Sequence, residues 1–127
     1  MKLLVTGCFG FIGYNFINYI NKNHFNDFEI VGIDSLNEKY SELNRKTFVE
    51  KNNNFEFYNL DINKIQELEN KIDNIDVLIN FAAESHVDNS ISTPDKFIDS
   101  NISGVAKLIK FAISKNISYF YHVSTDE

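Results

Sequence analysis

Lys2-Leu3-Leu4-Val5-Thr6-Gly7-Cys8-Phe9-Gly10-Phe11-Ile12-Gly13 is the stretch on which the fold turns. An apolar run of strand character stops at Gly7. Glycines recur at positions 7, 10 and 13, and from Phe11 onward Ile12, Phe16, Ile17 and Ile20 repeat at helical spacing. A strand, a glycine turn and a helix in that order meet the demands of a dinucleotide site: a tight turn, backbone bare enough for a pyrophosphate to approach, and close packing of helix on strand. The helix start adds N–H groups without intrahelical partners and a partial positive charge that favours phosphate. The next strand-like run, Glu29 to Ile33, is closed by Asp34, about 20 residues beyond Gly13, where an acidic side chain accepts from ribose hydroxyls. A carboxylate there repels a 2′-phosphate, so the pattern selects NAD over NADP.

Outward from this unit, short apolar runs continue to alternate with stretches of helical period. Helical character around Tyr40 to Glu50 leads to a third strand, Phe55 to Tyr58. Ile65, Leu68, Ile72 and Ile75 step by three and four, which predicts a helix before a fourth strand, Val77 to Phe81. After a loop containing Pro94, the series Ile98, Ile102, Val105, Ile109 and Ala112 predicts one long amphipathic helix, and Tyr119 to Val123 a fifth strand. Strands apolar on both faces, alternating with helices, mean a parallel sheet covered on each side. The expected fold is α/β: a doubly wound parallel sheet of Rossmann type forming one NAD-binding domain over residues 1–127. It is expected to be incomplete at the C-terminus, because the chain stops just past a strand.

Composition narrows the partners. With 12 Lys and Arg against 18 Asp and Glu, the formal charge of -6 argues against nucleic acid or an anionic membrane, both of which require a basic patch. Hydrophobic residues make up 43% of the chain, enough for a real core, so wholesale disorder is excluded. No run is long enough to span a membrane and none has the form of a secretion signal, which makes a cytoplasmic protein the expectation. The lone Cys8 can form no internal disulfide and fits no metal-ligand spacing; it reads as a small spacer in the glycine turn. The bulk of Phe9 in the same turn suggests no function.

Thr6-Gly7-Cys8-Phe9-Gly10-Phe11-Ile12-Gly13 resembles the Thr-Gly-x-x-Gly-Phe-Ile-Gly signature of extended short-chain dehydrogenases/reductases. Ala82-Ala83-Glu84-Ser85-His86-Val87-Asp88 and Ser124-Thr125-Asp126-Glu127 are similar to segments of the dTDP-glucose 4,6-dehydratase family. Related epimerases usually carry a Ser-Ser pair in the later segment, and GDP-mannose dehydratases typically have Gln at the position of Glu84 and Ser at that of Asp126. The resemblance implies oxidation of a sugar nucleotide at C4 with bound NAD, loss of water across C5 and C6, and return of hydride to C6. Elimination calls for an acid and a base of different pKa side by side. The resemblance assigns Asp126 as the acid, Glu127 as the base, and Thr125 as a hydrogen-bond donor to the sugar near C4. Ser85 falls at a substrate and cofactor position. Phe81, Ala82, Ala83 and Glu84 would line the cofactor, and Gly7, Gly10, Phe11, Ile12, Gly13, Asp34, Ser35, Leu36, Asn37, Asp61, Ile62 and Ser100 fall at the remaining NAD positions. No metal is implied. The full-length form is expected to be a homodimer acting on a sugar nucleotide.

Ordinary readings compete with several of these. An acidic pair such as Asp126-Glu127 is usually just solvated, Asp61 and Asn101 suit helix caps, and His86 and His122 suit hydrogen-bonded loop and strand positions. The sequence also departs from the family. Ser35-Leu36-Asn37-Glu38-Lys39-Tyr40 is closer to some nucleotide-sugar epimerases, and Ser100 replaces the usual Thr. The Tyr-x-x-x-Lys pair that removes the C4 hydroxyl proton is expected beyond Glu127, as is a substrate domain, so the 127-residue chain is expected to be inactive by itself. Two alternatives stay open: an epimerase of the same superfamily, and a non-catalytic nucleotide-binding module.

Overall fold

β1 (Lys2–Thr6) lies at the centre of a five-stranded sheet in a computed structural model that describes residues 1–24, 26–52, 55–84 and 94–124. β2 (Glu29–Asp34) flanks β1 on one side, with β3 (Glu56–Asn59) beyond it; on the other side come β4 (Val77–Asn80) and then β5 (Tyr119–His122). The order is β3-β2-β1-β4-β5 and every pairing is parallel. Leu4 sits in register with Val31 on one neighbour and Leu78 on the other. This is the doubly wound sheet read from the sequence. β5 forms one edge, with Tyr119 and Tyr121 exposed.

Alternation along β1 divides the core in two. Leu3 and Val5 face α1 (Phe11–Asn23) and α2 (Lys39–Val49), joining Cys8, Phe9, Ile17, Phe48 and Val77. Leu4 faces the other way, into a cluster with Val31, Ile33, Leu78 and the residues of the opposite layer: Ile62, Ile65, Leu68, Ile72, Ile75, Leu108, Phe111 and Ala112. β1, β2 and β4 are therefore apolar on both sides because both sides are covered, whereas β5 leaves Tyr119 and Tyr121 exposed.

Two expected helices differ from what is observed. Between β3 and β4 only a tight 3₁₀ segment forms, Ile62–Leu68, and Lys64 within it leaves helical geometry. Ile72 and Ile75 are buried as expected, but on an irregular chain that reverses at Asn74 with φ +58. Spacing of three and four reports burial on one side, which a compact non-helical connection also supplies. The long helix before β5 is broken in character: α3 (Pro94–Phe97) runs into a π-helical segment, Ile98–Gly104, and then α4 (Val105–Ser114). Widening this turn rotates the buried face. Gly104, Leu108, Phe111 and Ala112 pack inward, while Ile98, Ile102 and Ile109 from the expected apolar face are exposed. Ile12 is likewise exposed on α1, where Ile17 and Ile20 carry the contact.

Candidate functional site

Parallel strands of a doubly wound sheet all end on one side, and where the connections diverge to left and right a crevice opens outside their carboxyl ends. Here the chain leaves β1 and β2 toward one edge and β4 toward the other, and a cleft of about 760 Å³ occupies that position. It falls in the upper part of the roughly 300–1,000 Å³ range of small-molecule sites. Its walls come from the turn after β1 (Gly7, Gly10), the connection after β2 (Asp34, Ser35, Asn37, Glu38, Tyr40, Ser41), the chain after β3 (Leu60 to Asn63), the chain after β4 (Phe81 to Glu84), and Lys96, Asp99 and Ser100.

The three glycines do different work. Gly7 has φ +65, and a Cβ there would lie 2.6 Å from the backbone nitrogen of Ala82. It lets the turn press against the chain leaving β4. A Cβ on Gly13 would overlap the carbonyl oxygen of Gly7, so this residue seats α1 on the turn. Gly10 meets only the Gly7 oxygen, at 3.3 Å, and its outer side opens to the cleft. α1 begins here with no side-chain cap and no acidic residue in its first turn. The Gly10 N–H donates to the Gly7 carbonyl at 3.1 Å and the Tyr14 N–H to that of Gly10 at 2.9 Å, so the amides of Phe11, Ile12 and Gly13 between them are the ones open to an anion. A bare glycine beside a helix start with unmatched donors fits a pyrophosphate.

The turn is held rigidly from below. Phe9 is fully buried, its ring edge-on to Phe57 at 5.0 Å, Phe55 at 5.9 Å and Phe48 at 6.1 Å. Its bulk anchors the glycine turn to the core, a role no local pattern reveals. Its carbonyl accepts from Asn44 Nδ2 and its N–H donates to Asp34 Oδ2 at 2.9 Å. The other Asp34 oxygen accepts from the Leu36 N–H at 2.8 Å. Asp34 is only 8% exposed, yet it reaches the cleft wall. It thus ties the β1 and β2 connections together and presents its remaining lone pairs where ribose hydroxyls could donate.

On the opposite wall, Asn80 organises the end of β4. Its Oδ1 accepts from the Thr6 hydroxyl and from the Ala82 N–H, and its Nδ2 meets His122 Nδ1 at 2.9 Å. His122 is thereby a hydrogen-bonded strand residue. Asn101 grips Glu84 twice, accepting from its N–H and donating to its carbonyl, both at 2.9 Å. The π-helical segment that carries Asn101 also places Ser100 and Asp99 on the cleft. Asp61 caps the 3₁₀ segment by accepting from Asn63 N–H at 2.7 Å and also lines the cleft.

The cleft therefore gathers twelve of the residues assigned to the cofactor: Gly7, Gly10, Asp34, Ser35, Asn37, Asp61, Ile62, Phe81, Ala82, Ala83, Glu84 and Ser100. Gly13 lies beneath it as packing, Phe11 and Ile12 are exposed on the first turn of α1, and Leu36, at φ +53, packs into the core beside α1 and α2. Ser85, His86, Thr125, Asp126 and Glu127 lie outside the described residues. Sequence reasoning missed Glu38, Tyr40, Ser41, Asn63, Lys96 and Asp99, which have no signature spacing. Burial, followed by the negative charges of Glu38, Asp34 and Glu84, holds the Tyr40 hydroxyl protonated to higher pH than usual.

Burial, aided by the charge of Asp34, also pushes the Cys8 thiol well up, so it is no nucleophile. A thiol harder to ionise when folded makes stability constant below its unfolded pKa of about 8.5 and lost as pH rises above it, by up to about 1.4 kcal/mol per pH unit. Urea denaturation at pH 7 and 9.5 should show this alkaline loss, and Cys8→Ala should lack it. An equal loss in the variant would assign it to other groups.

A model of the family described as GDP-mannose 4,6 dehydratase matches residues 4–127. The chain is 37% identical over 127 residues to the low-salt glycan biosynthesis protein Agl12 of Haloferax volcanii, covering 100% of this chain and 40% of that protein. It is 37% identical over 138 aligned positions to the dTDP-glucose 4,6-dehydratase of Haemophilus influenzae, again covering 100% and 40%. Among solved structures, DesIV, a dTDP-glucose 4,6-dehydratase from Streptomyces venezuelae with NAD bound, superposes with a TM-score of 0.89 at 34% identity, over 100% of this chain and 40% of that one. The chain thus spans 40% of the length of each of these proteins.

Proposed function

The chain belongs to the GDP-mannose 4,6 dehydratase family, and from that membership we propose that residues 1–127 form the NAD-binding domain of a cytoplasmic sugar-nucleotide 4,6-dehydratase acting on dTDP-glucose. The observation that carries the cofactor reading is the cleft itself, where a bare glycine turn, an unfilled helix start and Asp34 converge. Gly10 and the first amides of α1 hold the pyrophosphate, Asp34 the adenosine ribose, Asp61 and Ile62 the adenine side, and Phe81 to Glu84 with Ser100 the remainder. NAD, when bound, supplies the oxidation at C4 and the hydride returned to C6. Asp126 protonates the leaving hydroxyl on C6, Glu127 takes the proton from C5, and Thr125 donates to the oxygen on C4, with Ser85 contacting the sugar. β5, which leads into Thr125, ends beside Asn80 at the carboxyl end of the sheet, on the same side as the cleft.

The choice of dTDP-glucose is supported by Glu84 and Asp126, which distinguish this chain from the GDP-mannose type, and by relatives named for that reaction. A second copy of the chain is the proposed partner. Ile98, Ile102, Ile109 and Ile113 are all exposed along the π-helical segment and α4, spaced as on one face of a helix pair. A longer form that carries residues 1–127 together with the Tyr-x-x-x-Lys pair and the substrate domain, incubated with NAD and dTDP-glucose, should yield the 4-keto-6-deoxy sugar nucleotide, identified by mass and NMR, whereas residues 1–127 alone should bind NAD without turnover. Recovery of dTDP-galactose instead would mean epimerisation, and absence of NAD binding in a titration would overturn the cofactor reading.

A further inference from the structure

The wall assigned to the adenine has little structure of its own. Asp61 caps and Ile62 opens a 3₁₀ segment of seven residues, which loses helical geometry at Lys64. Hydrogen bonds in such a turn are poorly aligned, so they hold it weakly. What fixes it comes from outside. Asn63 Nδ2 donates to the Asp99 carbonyl at 3.1 Å, and Lys107 Nζ donates to Asn63 Oδ1 at 3.0 Å. A carbonyl only accepts and an ammonium only donates, so one orientation of the amide serves both. Lys107 is half-buried on α4 and pairs with no carboxylate among the described residues. Beside this link Ile62 fills the notch left by Gly104, where a Cβ would lie 2.5 Å from the Ile62 Cδ1.

The link bears on the cleft through the backbone of residue 63. The Asn63 N–H donates to Asp61 Oδ1 at 2.7 Å and so orients that carboxylate. The second Asp61 oxygen receives no protein donor among the described residues, and Asp61, Ile62 and Asn63 all line the cleft. An adenine amino group donates, and a carboxylate held in place is the matching acceptor. Resting on the reading of Asp61 and Ile62 as the adenine side, we infer that Asn63, braced by Lys107, is a positioning residue that sets the Asp61 carboxylate for the adenine amino group. Both polar atoms of the Asn63 side chain are engaged by the protein, so its effect on the ligand passes through Asp61.

The test compares NAD with nicotinamide hypoxanthine dinucleotide, in which a ring carbonyl replaces the adenine amino group, by calorimetric titration. The unmodified chain should bind NAD about tenfold more tightly, as expected for one charge-assisted hydrogen bond in partly solvated surroundings. Asn63→Ala should bring the two dissociation constants within about threefold of each other, by weakening NAD and leaving the analogue almost unchanged. Lys107→Met should move the ratio the same way by less, and it carries the test if thermal denaturation shows the alanine variant to fold poorly. A contact that served only the fold would weaken both dinucleotides alike. Discrimination retained in both variants, with or without a common loss of affinity, overturns the inference. Equal binding of the two dinucleotides by the unmodified chain overturns instead the assignment of Asp61 to the adenine, and the inference with it.

Discussion

Gly13→Ala is expected to lower the stability of the domain by about 3 kcal/mol and to abolish measurable NAD binding. At an ordinary site inside a helix, alanine in place of glycine stabilises by about 1 kcal/mol. Here the sign reverses, because the added methyl would overlap the carbonyl oxygen of Gly7 and crowd the Cα of Cys8 at 3.0 Å. These are backbone atoms and cannot rotate away. Nor can the turn yield, since Cys8 and Phe9 are fully buried and Phe9 is wedged among three rings. Relief must come from α1, which would back away and disturb the packing of Ile17 and Ile20. The amides offered to the pyrophosphate move with it. Urea denaturation together with an NAD titration checks both effects. A variant within 1 kcal/mol of the parent that still binds NAD would show that the close approach is not required.

Asp34→Ala should be nearly as damaging, and for two separable reasons. Its removal strands the N–H groups of Phe9 and Leu36, which now donate at 2.9 and 2.8 Å in a largely buried setting. Each stranded donor costs about 1–3 kcal/mol, so a loss of roughly 2–5 kcal/mol in stability is expected. Loss of the charged acceptor for the ribose should also weaken NAD by about 1.5–3 kcal/mol. Asp34→Asn divides the two, since it keeps one acceptor for the backbone but not the charge. Denaturation midpoints and NAD dissociation constants measured on both variants are the check. If alanine weakens NAD yet leaves stability untouched, the anchoring role is refuted.

Much of this molecule follows from local pattern. Gly7, Gly10 and Gly13 announce their separate tasks by position alone, because a turn between a strand and a helix has few backbone solutions and each forbids a side chain at a defined point. The five strands and their parallel pairing follow equally from runs that are apolar on both faces. Asp34 could be recognised as an acid at the right distance, but its grip on Phe9 could not, since a hydrogen-bond partner 25 residues away leaves no trace in spacing.

Tertiary structure alone decided the rest. Phe9 became the anchor of the turn only because Phe48, Phe55 and Phe57 converge on it from α2 and from the third strand and its approach. The apolar periods of residues 65–75 and 98–112 recorded burial correctly in part, yet not backbone form. A period of three to four says which side faces inward, and an irregular chain or a widened turn can satisfy it as well as a regular helix. Glu38 and Lys96 reached the cleft through the folding together of distant connections. Local sequence sets which residues can turn, cover or pair, because those choices depend on near neighbours. Which side chains meet across a crevice depends on how separate elements pack, and that is settled only when the whole sheet has closed around its core.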